Sequence, residues 1–372
     1  MAVFLAVSAW AQSVWAQDGS RYAGMDKDEA GLWFIMDEAE KKVKTSGARI
    51  TDPALNTYIT DLTCRIVGPD CENLRVYLVN SPEFNASMAP NGMMIVNSGL
   101  MLRVENEAQL GCVIGHEYGH FTEGHSLSQW RGIKNAANAS LFIPLAGALI
   151  GIAAVQDFSR DQERDSDQIG FKKVAEYGYK SSECAAVWRN LIAEQSKSVV
   201  KKRRKNATKT SNGVFSSHPV PKERVETLDR LATEFPGGEL TGVDVYRQNT
   251  SGFLAKWLKY ELLAKDYERH IHLFETLKAQ GHSEGVVNYY LGESYRLRRD
   301  EGDVEKAVSH WKQAAQSHDA PPETWRALAE HYRKTKDKAQ AKEHYKTYLL
   351  KAPNAPDKSL IAKYIERLER EN

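Results

Sequence analysis

The chain has 372 residues, of which 42% are hydrophobic and 27% are charged, and its formal net charge at pH 7 is +1. These values are ordinary for a soluble globular protein of about two or three domains and exclude a single small domain. Because the charge is nearly balanced, we expect no nucleic-acid partner.

Residues 1–17 form a short apolar run with two A-x-A-like sites, Ala9-Trp10-Ala11 and Val14-Trp15-Ala16. This pattern predicts a secretory signal peptide over residues 1–16. The run lacks the usual basic start, so a start codon placed too late or a short tether is the alternative.

The chain has four cysteines, whose pairing indicates the cellular compartment of the protein. Cys64 and Cys71 are separated by six residues that include Gly68-Pro69, a turn that could close a disulfide bond. Disulfide bonds persist in oxidising compartments, so this pair supports export to the periplasm of a Gram-negative bacterium. Cys112 and Cys184 are predicted to be buried thiols.

Three short segments with strand character come next. Arg75–Asn80 alternates as a half-buried strand, and Phe84–Met88 is a second candidate. Pro90-Asn91-Gly92 is a turn signal that leads into Met93–Asn97. The pattern predicts a small antiparallel sheet.

A helix is predicted over residues 106–121. Asn106 followed by Gln109 is an N-cap and capping-box pair. Apolar residues recur near helical spacing, at Leu110, Val113, Ile114 and Phe121. We expect His125 to extend the polar face of this helix.

The segment from His116 to His120 has the HExxH pattern. On a helix, His116 and His120 lie one turn apart on one face, where their imidazoles can bind one Zn²⁺. Glu117 would then lie beside the metal as the general base for attack of water on a peptide carbonyl, which is the chemistry of a metallopeptidase. The ordinary alternative is a pair of polar surface histidines.

Gly111, Gly115 and Gly119 recur at every fourth position of this helix. Each costs about 1 kcal/mol relative to alanine in a helix interior, so the stripe needs a reason. We interpret it as the site of close packing with a neighbouring backbone. Access of substrate or of a covering loop to the metal is the alternative.

Two downstream motifs complete the pattern. The segment Glu163 to Asp167 resembles the E-x-x-A-D element of metallopeptidase family 48, with Ser166 in place of the usual alanine. His218-Pro219 with Arg224 matches the H-P-x-x-x-x-R element of the same family. The three motifs occur in the family's order, so the chain resembles this family, which contains the prenyl-protein proteases and a heat-shock membrane protease.

The resemblance implies roles for these residues. Glu163 would be the third zinc ligand, and Asp167 would buttress a ligand histidine; a solvated acidic helix face is the ordinary alternative. His218 and Arg224 would lie over the catalytic zinc. For His218, three roles stay open: it binds the oxyanion together with Arg224, it binds zinc as a fourth ligand that holds the enzyme latent, or it caps the following helix.

The family also implies where substrate binds. The strand that holds an Asn-Ala dipeptide, here Asn85-Ala86, is the sheet edge on which substrate is laid as an additional strand. Main-chain hydrogen bonding of this kind selects extended backbone, so unfolded or misassembled polypeptides are the expected substrates.

The apolar segment Ala136–Val155 has about the ~20 residues that a bilayer span requires. A single span would separate His120 from Glu163 by ~30 Å, which is incompatible with binding one ion. We therefore expect a helical pair bent near Pro144 and Gly147, with peripheral membrane contact as a secondary role.

Five consecutive basic residues, Lys201–Lys205, lie in a polar stretch before His218. We expect a solvated loop there. Contact with anionic lipid headgroups or with an acidic partner, or a role as a lid, is the alternative.

After Gly237-Gly238 the pattern becomes helical and repetitive. Positions 254, 288 and 325 are equivalent and are spaced 34 and 37 residues apart, close to the 34-residue period of tetratricopeptide repeats. The clearest unit has Trp325, Leu328, Ala329, Tyr332, Ala341, Tyr345 and Pro353. Stacked helix pairs leave a concave face that binds protein segments.

We therefore predict an α+β protein with three parts: a signal peptide (1–16), a mostly helical zincin-type zinc metallopeptidase domain with a small antiparallel sheet (25–236), and an all-α tetratricopeptide-repeat domain (245–372). This layout resembles that of periplasmic family 48 proteases of outer-membrane β-barrel assembly. The resemblance implies one Zn²⁺ per chain and docking of the repeats on the barrel-assembly machinery. Two functions follow: a working zinc endopeptidase, or a largely latent peptidase that acts as a chaperone or adaptor through its repeats.

Overall fold

The computed structural model describes residues 22–136, 158–198, 218, 222–281 and 283–370. The predicted signal peptide, residues 137–155 of the apolar segment and the basic run 201–205 lie outside these ranges. No helix within them combines the length and apolar character needed to cross a membrane.

The described residues divide into two compact units. The first contains residues 22–100, 106–136, 158–185, 218 and 222–242, and the second contains residues 101–105, 186–198, 243–281 and 283–370. The division falls inside two helices, one spanning Ser98–Arg103 and one spanning Glu183–Ser196.

The first unit begins with two helices and three short strands. The elements are α1 (Lys27–Thr45), α2 (Pro53–Val67), a 3-10 helix (Gly68–Asn73), β1 (Arg75–Val79), β2 (Ala86–Met88) and β3 (Met93–Asn97). The helices that follow are α3 (Ser98–Arg103), α4 (Glu107–Thr122), α5 (His125–Ala136), α6 (Arg160–Glu176), α7 (Glu183–Ser196) and α8 (Lys222–Glu234).

The predicted α+β fold class is confirmed, but the sheet is mixed and not antiparallel. The strand order is β1-β3-β2, so that β3 lies in the middle. The β2–β3 pair is the expected antiparallel hairpin, with Gly92 at φ +83° in its turn. However, β1 pairs with β3 in parallel. Alternation along β1 determines which face is buried, but it does not determine the neighbouring strand or its direction.

The N-terminus of α4 is capped as predicted by Asn106, whose Oδ1 accepts a 2.8 Å hydrogen bond from the Gln109 N–H. The side-chain amide of Gln109 donates a hydrogen bond to Glu183. The prediction that His125 extends this helix is wrong. The helix ends at Thr122, since Gly124 adopts a left-handed φ of +62°, and His125 begins α5.

The glycine stripe of α4 packs against α6, as interpreted from the sequence. A Cβ at position 115 would lie 2.8 Å from Gly170 Cα, and a Cβ at position 119 would lie 2.8 Å from Ser166 Cα. Real Cβ atoms do not approach backbone so closely, so only glycine permits this separation of the two helices.

Two disulfide bonds are present in this unit. Cys64 is joined to Cys71, with their Cα atoms 5.0 Å apart. Cys112 is joined to Cys184, with their Cα atoms 5.3 Å apart. The prediction that Cys112 and Cys184 are thiols is wrong. They are 72 residues apart, and only the tertiary fold brings them together, so local spacing contained no sign of the bond.

The second unit is helical. Its later helices are α9 (Val243–Thr250), α10 (Leu254–Leu262), α11 (Tyr267–Ala279), α12 (Glu284–Arg298), α13 (Asp303–Ala315), α14 (Glu323–Lys334), α15 (Lys338–Lys351) and α16 (Lys358–Arg370). The repeat positions Trp325, Ala329, Ala341 and Tyr345 share one buried cluster, in which α16 is also packed. The tetratricopeptide assignment itself stays a prediction.

We expect the substitution Gly115→Ala to destabilise the protein by about 1–3 kcal/mol, because the added methyl group must displace backbone of α6. The matched control is Gly132→Ala in α5, where a Cβ meets nothing within 4 Å. It should be neutral or stabilising by about 0.5–1 kcal/mol. Chemical denaturation followed by circular dichroism measures both, and equal midpoints for the two variants would contradict the close crossing.

Candidate metal centre

Four side chains from three places in the chain converge in the first unit. Helix α4 supplies His116 and His120, helix α6 supplies Glu163, and His218 lies before α8. Each offers one nitrogen or oxygen atom, and these atoms all lie within 4.8 Å of one another. All four residues are at most 4% exposed. Within the part of the chain that the structure describes, this is the one such group of histidine, cysteine and acidic residues.

The spacing of these atoms fits a tetrahedral ion. His116 Nε2 lies 3.1 Å from His120 Nε2 and 3.2 Å from His218 Nδ1. Glu163 Oε1 lies 3.4 Å from His120 Nε2 and 2.8 Å from His218 Nδ1. Ligands about 2.0–2.1 Å from a tetrahedral zinc ion are roughly 3.3 Å apart, and imidazole and carboxylate are among the ligands that zinc takes. The residues present therefore fit the metal that their motifs imply.

Asp167 and Arg224 hold this cluster in place. Asp167 Oδ1 lies 2.9 Å from His116 Nδ1, the ring nitrogen opposite the cluster. Arg224 donates two hydrogen bonds of 2.6 Å to Asp167, from Nε and from one terminal nitrogen. Its other terminal nitrogen lies 3.0 Å from Glu163 Oε2. Asp167 therefore lies where a carboxylate would orient a ligand imidazole.

Glu117 lies beside the cluster and is 3% exposed. Its carboxylate accepts a hydrogen bond from the Met88 N–H, and its Oε1 lies 3.6 Å from His218 Nε2. The His218 ring therefore has Nδ1 among the four converging atoms and Nε2 directed toward Glu117.

Burial sets the charge state of the histidines. It lowers the pKa of His116 well below its ordinary value, with the charge of Arg224 adding to the effect, and it lowers the pKa of His120 to about 4. Both imidazoles are therefore neutral at pH 7, which is the form that binds metals.

Burial and neighbouring charges also shift the pKa values of Glu117, Glu163 and His218. Burial raises the pKa of Glu117 to about 7. Burial alone would raise the pKa of Glu163, but the neighbouring histidines lower it. For His218, burial acts to lower the pKa, and the carboxylates of Glu117 and Glu163 raise it above its ordinary value.

Sequence reasoning misplaced His125 and missed Phe158, both of which contact His120. His125 Nδ1 lies 2.9 Å from His120 Nδ1, and the ring of Phe158 stacks on His120 with centroids 3.8 Å apart. Ser166 Oγ in turn lies 3.4 Å from His125 Nδ1. The only sequence signal was Ser166 itself, the position that departs from the family pattern.

The strand that contains Ala86 forms one edge of the sheet. Asn85 accepts a hydrogen bond from the Asn97 N–H, and the Ala89 N–H donates to Met93, so the peptide groups of Asn85 and Ala89 face β3. Because peptide groups alternate along a strand, those of Ala86 and Met88 face the other edge, where Glu117 lies. Ala86 and Met88 are each 3% exposed, so this edge is buried.

Comparison with known proteins gives the family. Residues 50–232 match the sequence profile of Peptidase family M48. Relatives include the putative beta-barrel assembly-enhancing protease of Vibrio cholerae (25% identical over 208 residues), the beta-barrel assembly-enhancing protease of Yersinia pestis (27% over 219) and the mitochondrial metalloendopeptidase OMA1 of Arabidopsis thaliana (30% over 122).

The matched segments cover 50%, 52% and 31% of this chain, and 41%, 42% and 25% of the three relatives. The chain thus spans about two fifths of the length of the two bacterial relatives that it matches. The profile match contains all three motifs found in the sequence and all four converging side chains. This is a family of metallopeptidases, so a bound metal is expected. Residues 50–232 are therefore a domain of Peptidase family M48.

Proposed function

We propose that this protein is an exported, zinc-dependent metalloendopeptidase that cleaves unfolded or misassembled proteins. The observation that carries the proposal is the convergence of His116, His120 and Glu163 in one buried cluster with Glu117 beside it. Three protein ligands with an adjacent carboxylate are the arrangement that hydrolytic zinc sites use.

The chemistry divides between the metal and the protein. A bound zinc ion polarises a peptide carbonyl and lowers the pKa of water. Glu117 accepts the proton of the attacking water and passes it to the leaving amine. Asp167 keeps the His116 ring in its metal-binding orientation, and Arg224 fixes Asp167 and Glu163, so we assign Arg224 a positioning role as well as the oxyanion role suggested by its motif.

The edge of the sheet supports the proposed substrate class. The peptide groups of Ala86 and Met88 face away from β3, and Glu117 lies on that side. A polypeptide that added a strand there, beside Asn85-Ala86, would be bound through its backbone close to the general base. Unfolded or misassembled chains offer extended backbone of this kind.

The compartment and pathway are proposed on independent grounds. The apolar run at residues 1–17 and the two disulfide bonds both favour the periplasm. Two of the relatives are named for β-barrel assembly, which suggests outer-membrane protein quality control. The helical second unit is then the candidate to bind the barrel-assembly machinery.

A second function is favoured by the position of His218. Its Nδ1 is among the four converging atoms, so it would occupy the position that a catalytic zinc site leaves open for water or substrate. The edge at Ala86 is buried at the same time. In this closed arrangement the protein would be a largely latent peptidase that acts as a chaperone or adaptor through its repeats.

The first prediction concerns the general base. Glu117→Gln keeps the size of the side chain but removes its ability to accept a proton. We expect cleavage of unfolded casein to fall by about 10²–10⁴-fold. The matched control is Glu123→Gln at the exposed end of the same helix, which should cleave at the wild-type rate. A Glu117→Gln protein as active as wild type would show that the assignment is wrong.

The second prediction concerns latency. His218→Ala removes the fourth converging ligand. If only a fraction of wild-type molecules has His218 away from the metal position, we expect the rate of casein proteolysis to rise by roughly the inverse of that fraction. The control is the exposed His318→Ala, which should change nothing. If His218→Ala instead lowers the rate, the histidine acts on the oxyanion and the latent form is refuted.

A further inference from the structure

A cavity of about 230 Å³ lies beside the metal centre, within the first unit. His120 lines it, and so does Pro90, which follows β2 by two residues. The cavity therefore touches both the cluster of ligands and the end of the strand proposed to bind substrate. Its walls are largely apolar and comprise Leu32, Trp33, Pro90, Phe121 and Leu127.

One wall of the cavity comes from outside the family match. Leu32 and Trp33 belong to α1, which ends at Thr45, whereas the match begins at residue 50. The catalytic motifs are thus shared with the family, while this wall is supplied by a segment that the family profile does not cover. A side chain bound here would be selected by α1 of this chain.

Helix α1, which supplies this wall, contacts the rest of the unit at both ends. Near its N-terminus, Asp26 pairs with Arg131 and Asp28 pairs with Lys134, both on α5. Toward its C-terminus, the buried Glu40 accepts two 2.7 Å hydrogen bonds from Arg75 of β1.

Between these anchors, Leu32 is 1% exposed and packs in a cluster with Met36, Tyr77 and Met93. The cavity is therefore preformed, as side-chain binding pockets usually are.

We propose that this cavity binds a large apolar side chain, aromatic or branched aliphatic, of the polypeptide held at the metal centre. The inference rests on the proposed function for the identity of its ligand. An apolar cavity of 150 Å³ is large enough to bind benzene, so about 230 Å³ accommodates a phenylalanine or leucine side chain. Alternate side chains of an extended peptide point to one side, so one of them can enter the cavity while its backbone pairs with β2.

Glu29 adds a charge preference. It lines the cavity from the first turn of α1, and among the described residues no cation is paired with it, whereas its neighbours Asp26 and Asp28 are both paired. A carboxylate there repels an acidic side chain and tolerates a neutral one.

The test measures binding without cleavage. Short fluorescent peptides with a serine-threonine background and a single Phe, Leu, Ala or Asp are titrated against full-length Glu117→Gln protein, and anisotropy gives the dissociation constant. We expect the Phe and Leu peptides to bind about tenfold or more tightly than the Ala peptide, and the Asp peptide to bind most weakly.

Three variants, each made in the Glu117→Gln background, locate the effect. Trp33→Ala should reduce the preference for Phe over Ala toward one. Phe34→Ala, a partly buried aromatic of the same helix that does not line the cavity, should keep the full preference. Glu29→Gln should strengthen binding of the Asp peptide alone. Equal binding of the Phe and Ala peptides, or equal effects of Trp33→Ala and Phe34→Ala, would overturn the proposal.

Parallel cleavage of the same peptides by protein that retains Glu117 separates the two proposals. Cleavage without discrimination between Phe and Ala refutes the cavity and leaves the peptidase function standing. Discrimination in binding without any cleavage, by the wild type and by His218→Ala protein alike, refutes the peptidase function and leaves the cavity standing.

Discussion

The metal centre depends on how closely two helices approach each other. Gly115 and Gly119 of α4 face Gly170 and Ser166 of α6 at a distance that admits no additional carbon atom. Each glycine lowers the stability of the helix by about 1 kcal/mol relative to alanine, but it permits this close contact. It brings Glu163 of α6 within 3.4–3.6 Å of the ring nitrogens of His116 and His120. At a wider separation of the two helices, Glu163 would lie too far from His116 and His120 to bind the same ion.

The second constraint is the charge gathered inside this contact. Three buried carboxylates, those of Glu117, Glu163 and Asp167, face one buried guanidinium, that of Arg224. Uncompensated buried charge is strongly destabilising. With all three carboxylates ionised and each histidine in its neutral, metal-binding form, a divalent cation would bring the formal charge of the cluster to zero. The pairing of Arg224 with Asp167 and Glu163 compensates part of this negative charge.

The sequence predicted those features that depend on local pattern. The helix with His116 and His120, its Asn106 cap and the packing role of the glycine stripe follow from spacing along one element. Features that depend on distant pairing were not predictable. The parallel pairing of β1 with β3 and the disulfide bond between Cys112 and Cys184 are decided by tertiary packing, which leaves no mark on nearby residues.

The contacts of His120 within the site were also not predictable from the sequence. A single left-handed residue, Gly124, turns the chain so that His125 returns to within 2.9 Å of His120. Sequence periodicity had continued the helix through this point. Phe158 reaches the same ring from a position that no motif marks.

The central claim is that four side chains from α4, α6 and the segment before α8 form one metal site. Metal analysis of the full-length protein by inductively coupled plasma mass spectrometry tests it most directly. We predict one zinc ion per chain in the wild type, and loss of that zinc in Glu163→Ala with the helical circular dichroism spectrum retained. The exposed Glu123→Ala should keep its zinc. Protein that folds normally without metal, or a Glu163→Ala variant that binds zinc as tightly as wild type, would contradict the account.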